Sequence, residues 1–422
     1  MAYLKSLTLA EVLDARGDPT VGAYVTTDQG LRAAAFAPSG RSTGRHEAVE
    51  VRDGDEEWYG GRGVRRHLAR VARDVAEALE GLPLDIARID EILRRLDGAG
   101  AKPHLGANVT SAVSLAVAKA AALSHNVPLY QYLNPLARTL PVPQMNLING
   151  GRHAFNETPI QEFLVLPLGA PSVQAALEWT MRVYRALSEI VRQRYGQHAL
   201  NPGDEGGLTP DVPTVQIGLD LMSRAVEQCG LSDGMRFGLD MAATHLYEPS
   251  TQRYHIDRPY SRDELFDLYA EVAAQRRVIS IEDPVQEDDL SGLALLTRRL
   301  DIQLVGDDLF VTSPVRVREA IRQKAGNALL WKFNQIGTLS EAWAAAELAK
   351  RHGYEIVVSE RSGETEDAAI ADLAVALGAS QIKTGAPVRG ERTAKYNRLL
   401  EIERELGSQA QHAGEALMGR YG

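Results

Sequence analysis

The sequence predicts two units, an N-terminal α+β domain followed by a C-terminal α/β barrel, and three observations carry that reading. Residues 3–12 and 20–36 alternate apolar and polar side chains on either side of the turn "DARGDP", which is the pattern of an antiparallel sheet with one buried face. Three segments then carry apolar residues at three- and four-residue spacing. Beyond residue 143, short apolar runs alternate with long amphipathic stretches, the signature of strands that run parallel with helices packed outside them.

In order along the chain, "TTDQG" supplies a second turn within the opening sheet. The helices are "GVRRHLARVARDVAEALEGL", "DIARIDEILRRLDG" and "NVTSAVSLAVAKAAALSHN", each ending near Gly or Asn, residues that suit a helix terminus. The segment "NPLARTLPVP", 134–143, is proline-rich and aperiodic, which places the domain boundary there, with residues 1–134 as one domain and 135–422 as the other. The apolar runs that follow are 163–166, 236–240, 278–282, 302–307, 328–332, 354–358 and 380–383, enough units to suggest closure into a barrel.

Composition narrows the function classes. A net charge of −10, with both signs interspersed, argues against nucleic acid as the main partner. The single cysteine, Cys229, excludes an intramolecular disulfide and a cysteine-built metal site, and fits a reducing compartment. The N-terminus lacks the basic-then-apolar build of a signal peptide, and no run reaches about 18 uninterrupted apolar residues. The expectation is a cytoplasmic protein.

The chemistry-bearing residues sit at the ends of the apolar runs: Asp240, Glu282, Asp307, Lys332, Glu360 and Lys383. In a barrel those ends converge on one face, where active sites are built. One such acid is usually a helix cap or a solvated loop residue. Asp240, Glu282 and Asp307 on successive strands instead suggest an oxygen-ligand site for Mg²⁺. Lys332 and Lys383 in the same ring would be desolvated and crowded by positive charge, which lowers a lysine pKa toward that of a usable general base. "NPGDEGGLTPD" places Glu205 in a glycine-rich loop and "PIQEF" places Glu162 where a strand begins, each a weak signal by itself. The small residues of "APSGRSTGRHEAVEVRD", 37–53, suit a lid whose backbone and Ser42 could close over a ligand, although spacing alone reads as a surface turn.

Taken together, "DARGDPTV", "PSGRSTG", "MNLINGGRHA", "QEFLVLP", "GDEGG", "LDMAAT", "SIEDP", "VGDDLFVT", "KFNQIGT", "RSGETED" and "QIKTGAP…RTAKYNRLL" make the sequence resemble the enolases over nearly its whole length. The resemblance implies an eight-stranded α/β barrel with an antiparallel start, an N-terminal lid domain, and a homodimer or higher homo-oligomer. It implies dehydration of 2-phosphoglycerate to phosphoenolpyruvate with two Mg²⁺ per active site. By the same resemblance Asp240, Glu282 and Asp307 hold the first magnesium and Ser42 the second. Lys332 is the base at C2, Lys383 contacts the substrate carboxylate, and Glu205, assisted by Glu162, protonates the departing hydroxyl. Arg361 and Ser362 clamp the phosphate, and His153 belongs to a second mobile loop. A non-catalytic relative of such enzymes is the alternative from a different class.

Four positions depart from the usual enolase pattern: Arg41 for alanine, Arg152 for serine, Phe155 for a small or polar residue, and Glu360 for histidine. All fall on the lid loops or beside the phosphate clamp. In one reading Glu360 pairs with Arg41 or Arg152 and the substrate is unchanged. In the other, Arg41, Arg152 and Glu360 form an enlarged anion site, as in enolase-like enzymes that dehydrate a carboxyphosphono analogue to carboxyphosphonoenolpyruvate.

Overall fold

The computed structural model describes residues 2–41, 43–98 and 100–421. The N-terminal domain begins with the antiparallel meander β1 (Leu4–Leu13), β2 (Pro19–Thr27) and β3 (Arg32–Phe36). The tight turn between β1 and β2 is made by Asp14, whose carboxylate accepts from the backbone N–H groups of Arg16 and Asp18, with Gly17 at φ 78°. Three helices follow: Arg65–Leu79, Ile86–Asp97 capped by Asp85, and Ala107–Ser124. The last is long and apolar enough to cross a membrane by length and composition, yet 83% of it is buried within the fold. Its alanine-rich surface lies against β2 and β3, where small side chains permit close approach.

The second part of the chain is a closed barrel of eight strands. In chain order these are β4 (Val142–Asn149), β5 (Glu162–Leu166), β6 (Arg236–Asp240), β7 (Val278–Glu282), β8 (Gln303–Gly306), β9 (Ala328–Trp331), β10 (Glu355–Ser359) and β11 (Gln381–Lys383). Each pairs with its neighbours in sequence, and β11 closes on β4. Only β5 is antiparallel to both of its neighbours; the remaining pairs are parallel. The expected antiparallel start is therefore present, and it has a chemical consequence. Reversing β5 brings its first residue, Glu162, to the face where the other strands end, opposite Asp240 in the ladder.

The strand β4 begins in the last two residues of the stretch that reads as an aperiodic linker and continues where the sequence predicts no strand. It is buried on both sides, so it shows no alternation, and its proline at 143 falls near the strand start. Its polar residues face the barrel interior, where Gln144, Gln381, Gln303 and Ser280 hydrogen-bond to one another at 2.6–2.9 Å. This amide belt satisfies every member of a buried polar layer beneath the catalytic end. Outside it, helices such as Val173–Tyr195, Leu339–Arg351 and Gly390–Leu406 cover the strands and complete the main apolar core, with two smaller apolar clusters beside it.

Candidate active site

The mouth of the barrel carries a ring of carboxylates, set by strand register. Glu162 lies opposite Asp240, and Asp240 opposite Glu282, on three adjacent strands; Asp307 follows the end of β8 directly. Lys383, the last residue of β11, reaches across the interior so that its Nζ lies 2.7 Å from Glu282, 3.1 Å from Asp240 and 3.1 Å from Glu162. Lys332, which follows β9, places its Nζ 2.6 Å from Asp307 Oδ2, while Gln335 donates to Asp307 Oδ1 at 2.7 Å. Gln161 donates to Asp240 at 3.0 Å. Behind this ring Asp283 accepts from the backbone N–H groups of Asp307 and Asp308, both at 2.8 Å, and so fixes the turn that aims Asp307 inward.

These contacts act against the lysine titration expected from crowding by a second lysine and a metal ion. Burial does pull Lys332 and Lys383 down, but Asp307 and Glu282 together outweigh it at Lys332, and Asp240, Glu162 and Glu282 outweigh it at Lys383, so both are held above the ordinary lysine value. Conversely, burial and the Asp240 charge push the Glu282 carboxyl well up, and burial with the Asp307 charge takes Asp283 to about 8. Acids crowded this closely favour a cation among them. The donor set is all oxygen, and an ammonium sits at the focus of Asp240 and Glu282, so these residues fit a hard divalent ion. Asp307 lies closest to Asp283 and Asp308, with ligand oxygens within 4.8 Å of one another. Ser42, expected to bind a second ion, lies outside the described residues.

Across the mouth, His153, Glu162 and Glu205 form a second buried cluster. His153 Nδ1 is 3.4 Å from Glu162 and 3.3 Å from Glu205, and Asn146 donates to the other Glu205 oxygen at 3.1 Å. Burial opposes a charged imidazole here, but Glu205 and Glu162 overcome it and raise His153 to about 10. Burial and the Glu205 charge push Glu162 up to about 7. Burial would raise Glu205 too, yet the His153 imidazolium holds it well below the usual carboxylate range. The backbone N–H of Asp204 donates to the His153 carbonyl at 2.9 Å, which ties the loop carrying Glu205 to the loop carrying His153.

The third component joins the two domains. Arg361 is buried and receives the Glu47 carboxylate through both terminal nitrogens, at 2.8 and 3.2 Å. Ser362 Oγ accepts from the Arg41 backbone N–H at 3.0 Å and from Arg16 at 3.3 Å. Arg16 and Ser39 both hydrogen-bond to Asp14, so the turn of the first sheet holds Ser39 and its neighbours against Ser362. The conformation of "DARGDP" thus serves the active site as well as the sheet.

Glu360 is not paired here with Arg41 or Arg152, the pairing that one reading of the sequence expects on lid closure. Glu360 is ion-paired with Arg392, which also donates to the carbonyls of Arg361, Ser362 and Asp204 at 2.7–2.9 Å. Arg392 comes up from the buried side of the helix Gly390–Leu406, and the backbone N–H of Glu360 is tied to Lys383 O, so Glu360 points into the protein rather than toward the lid. Arg41 pairs instead with Asp204 at 2.8 Å. Arg152 is exposed and makes no hydrogen bond or ion pair among the described residues; its charge, after burial, helps to lower His245 to about 4. Sequence reasoning missed Glu47, Asp283, Gln335 and Arg392. "SIEDP", "KFNQIGT", "RTAKYNRLL" and the stretch 37–53 contain all four, but nothing local marks those side chains as facing the site.

An α/β barrel with one reversed strand, a ring of acids and two lysines at its mouth, and a lid from a preceding domain defines a class of metal-assisted acid–base enzymes. Residues 4–133 match the family described as "Enolase, N-terminal domain" and residues 137–420 the one described as "Enolase, C-terminal TIM barrel domain". The chain is 49% identical to the enolase of Methanocaldococcus jannaschii over 407 residues, 96% of each chain. It is 49% identical to that of Methanopyrus kandleri over 97% of this chain and 98% of the relative, and 49% identical to that of Pyrococcus furiosus over 96% and 95%. The chain belongs to the enolase family.

Proposed function

We propose that this protein catalyses the Mg²⁺-dependent dehydration of 2-phosphoglycerate to phosphoenolpyruvate. The observation that carries the reading is an opposition across the barrel. Lys332 follows β9 and Glu162 begins β5, four strands away on a ring of eight, so a base and an acid cluster face one another over the mouth. Removing a proton from one carbon and a hydroxyl from the next requires just such separated groups.

In this mechanism Lys332 takes the proton from C2, and Glu205 relays to the departing 3-hydroxyl a proton that the His153 imidazolium holds 3.3 Å away, with Glu162 keeping that imidazolium charged. Lys383 meets the substrate carboxylate, and Arg361 and Ser362 hold the phosphate. Asp240, Glu282 and Asp307 would hold one Mg²⁺ and Ser42 a second. When bound, magnesium supplies the positive charge that makes a proton beside a carboxylate removable. It would also compete for Asp307 and so relieve the ion pair that keeps Lys332 protonated. Residues 1–134 then act as the lid domain and 135–422 as the catalytic domain, in a cytoplasmic homodimer or higher homo-oligomer.

The carboxyphosphono analogue would need additional cations free to receive its extra carboxylate. Arg41 is taken by Asp204 and Glu360 organises neither added arginine, so of those two only Arg152 lacks an ion pair among the described residues, which favours 2-phosphoglycerate. The test is kcat/KM for both compounds with Mg²⁺ and with chelator. Magnesium-dependent turnover of 2-phosphoglycerate, with the analogue far slower, is the expected result. Preference for the analogue overturns the substrate assignment, and turnover of neither overturns the enzymatic one.

A further inference from the structure

Two of the residues that depart from the enolase pattern are partners of one another. The Arg41 guanidinium lies 5.2 Å from the centroid of the Phe155 ring, within cation–π range. It also bonds Asp204 Oδ2 through one nitrogen at 2.8 Å. Phe155 is 94% exposed, so burial does not account for an aromatic there. One arginine on the lid loop therefore touches both of the loops that carry the acid cluster: 151–157, which bears His153, and 201–207, which bears Glu205.

The neighbours of Asp204 give this contact its consequence. The Asp204 N–H donates to the His153 carbonyl, its own carbonyl accepts from Arg392, and the next residue is Glu205. Asp204 is thus fixed from beneath by its backbone, while its side chain extends upward to the lid. At its other end, the Arg41 backbone N–H donates to Ser362 Oγ beside the phosphate clamp. An unbroken set of contacts runs from the clamp through Arg41 to the loop of the general acid.

Resting on the functional reading above, we propose that Arg41 is a positioning residue that fastens the lid to the Asp204–Glu205 loop, so that closing the lid and setting the general acid occur together. Phe155 caps this latch by shielding one face of the guanidinium. Arg41 acts through Asp204 and does not serve as a ligand for the substrate anion.

The test uses the Mg²⁺-loaded enzyme and the variants Arg41→Ala, Asp204→Asn, the double variant, Arg41→Lys, and the exchanged pair Arg41→Asp with Asp204→Arg. A latch predicts that each single variant lowers dehydration by a few-fold to about tenfold while sparing exchange of the C2 proton, because the base is not touched. The double variant should be no worse than either single one, Arg41→Lys should recover part of the rate, and the exchanged pair should recover more than either of its components. Amide hydrogen exchange supplies a readout independent of turnover: Arg41→Ala should speed exchange in 201–207 and 151–157 as well as in the lid. A ligand role would instead raise KM in Arg41→Ala and leave Asp204→Asn normal, and that outcome overturns the latch. Equal loss of exchange and dehydration, additive effects, or faster amide exchange confined to the lid overturn it as well. If the wild-type protein does not dehydrate 2-phosphoglycerate, the functional reading fails, and the amide-exchange comparison still decides the latch.

Discussion

Glu360 and Arg392 form an ion pair whose side chains are 1% and 0% exposed, one beside the phosphate clamp and the other on the helix Gly390–Leu406. Burial pushes the Glu360 carboxyl well above its ordinary value even against the Arg392 charge, and Glu360 Oε1 has no hydrogen-bond partner among the described residues. A buried pair of this kind adds little net stability relative to an apolar one, but losing one member strands the other. Glu360→Ala should therefore destabilise the protein by about 3–5 kcal/mol in urea denaturation. Glu360→Gln should cost clearly less, since its amide oxygen still accepts from Arg392. Equal losses for the two would mean that packing, not the stranded guanidinium, sets the cost.

The opposed positions of Lys332 and Glu205 should separate the two halves of the reaction. Lys332→Ala should abolish exchange of the C2 proton of 2-phosphoglycerate with solvent, measured by deuterium incorporation. Glu205→Gln should reduce dehydration much more than exchange, because the base remains in place. Wild-type exchange in Lys332→Ala would remove that lysine from the role of base.

Gly40 is a probe of the clamp that leaves its charge unchanged. A Cβ at this position would lie 2.0 Å from a terminal nitrogen of Arg361, whose guanidinium is held in place by two bonds to Glu47. Gly40→Ala must displace the guanidinium from its present position, the one proposed to meet the phosphate. Losing one charge-assisted contact costs about 1.5–3 kcal/mol, or roughly one to two decades in kcat/KM. Steady-state kinetics should place most of that loss in KM, and an unchanged KM would show that Arg361 does not bind substrate in this position.

The catalytic end of the barrel was legible in the sequence because an apolar run ending in a charge marks a strand whose last residue reaches the mouth. Asp240, Glu282, Asp307, Lys332 and Lys383 all follow that rule. The strand Val142–Asn149 escaped it because Gln144 and Asn146 face a polar interior, which erases the apolar signal. Arg392 and Lys395 escaped for a related reason: on a helix they read as solvent-facing, whereas both are fully buried. Their partners Glu360 and Glu364 lie about thirty residues away in sequence, beyond any local pattern. The direction of the Lys332 shift depended on how closely Asp307, at 2.6 Å, and Glu282 approach it, which composition and spacing do not contain.

His153 offers a test of the acid cluster that needs no substrate. Its pKa rises from 6.5 to about 10, so folding binds its proton more tightly than the unfolded chain does. The resulting stabilisation is complete below pH 6.5 and disappears as the pH rises through about 10, and it is on the order of several kcal/mol. In protein free of divalent ions, the difference in unfolding free energy between wild type and His153→Gln should be largest near pH 6 and shrink toward pH 10. Imidazole nitrogen NMR gives the direct measurement, with His67 as the internal contrast, because burial lowers that ring from 6.5. At pH 8 His153 should show the shifts of an imidazolium and His67 those of a neutral ring. A neutral His153 at pH 8 would mean that Glu162 and Glu205 do not hold a proton between them on the histidine, and Glu205 would lose the charge that keeps it ionised.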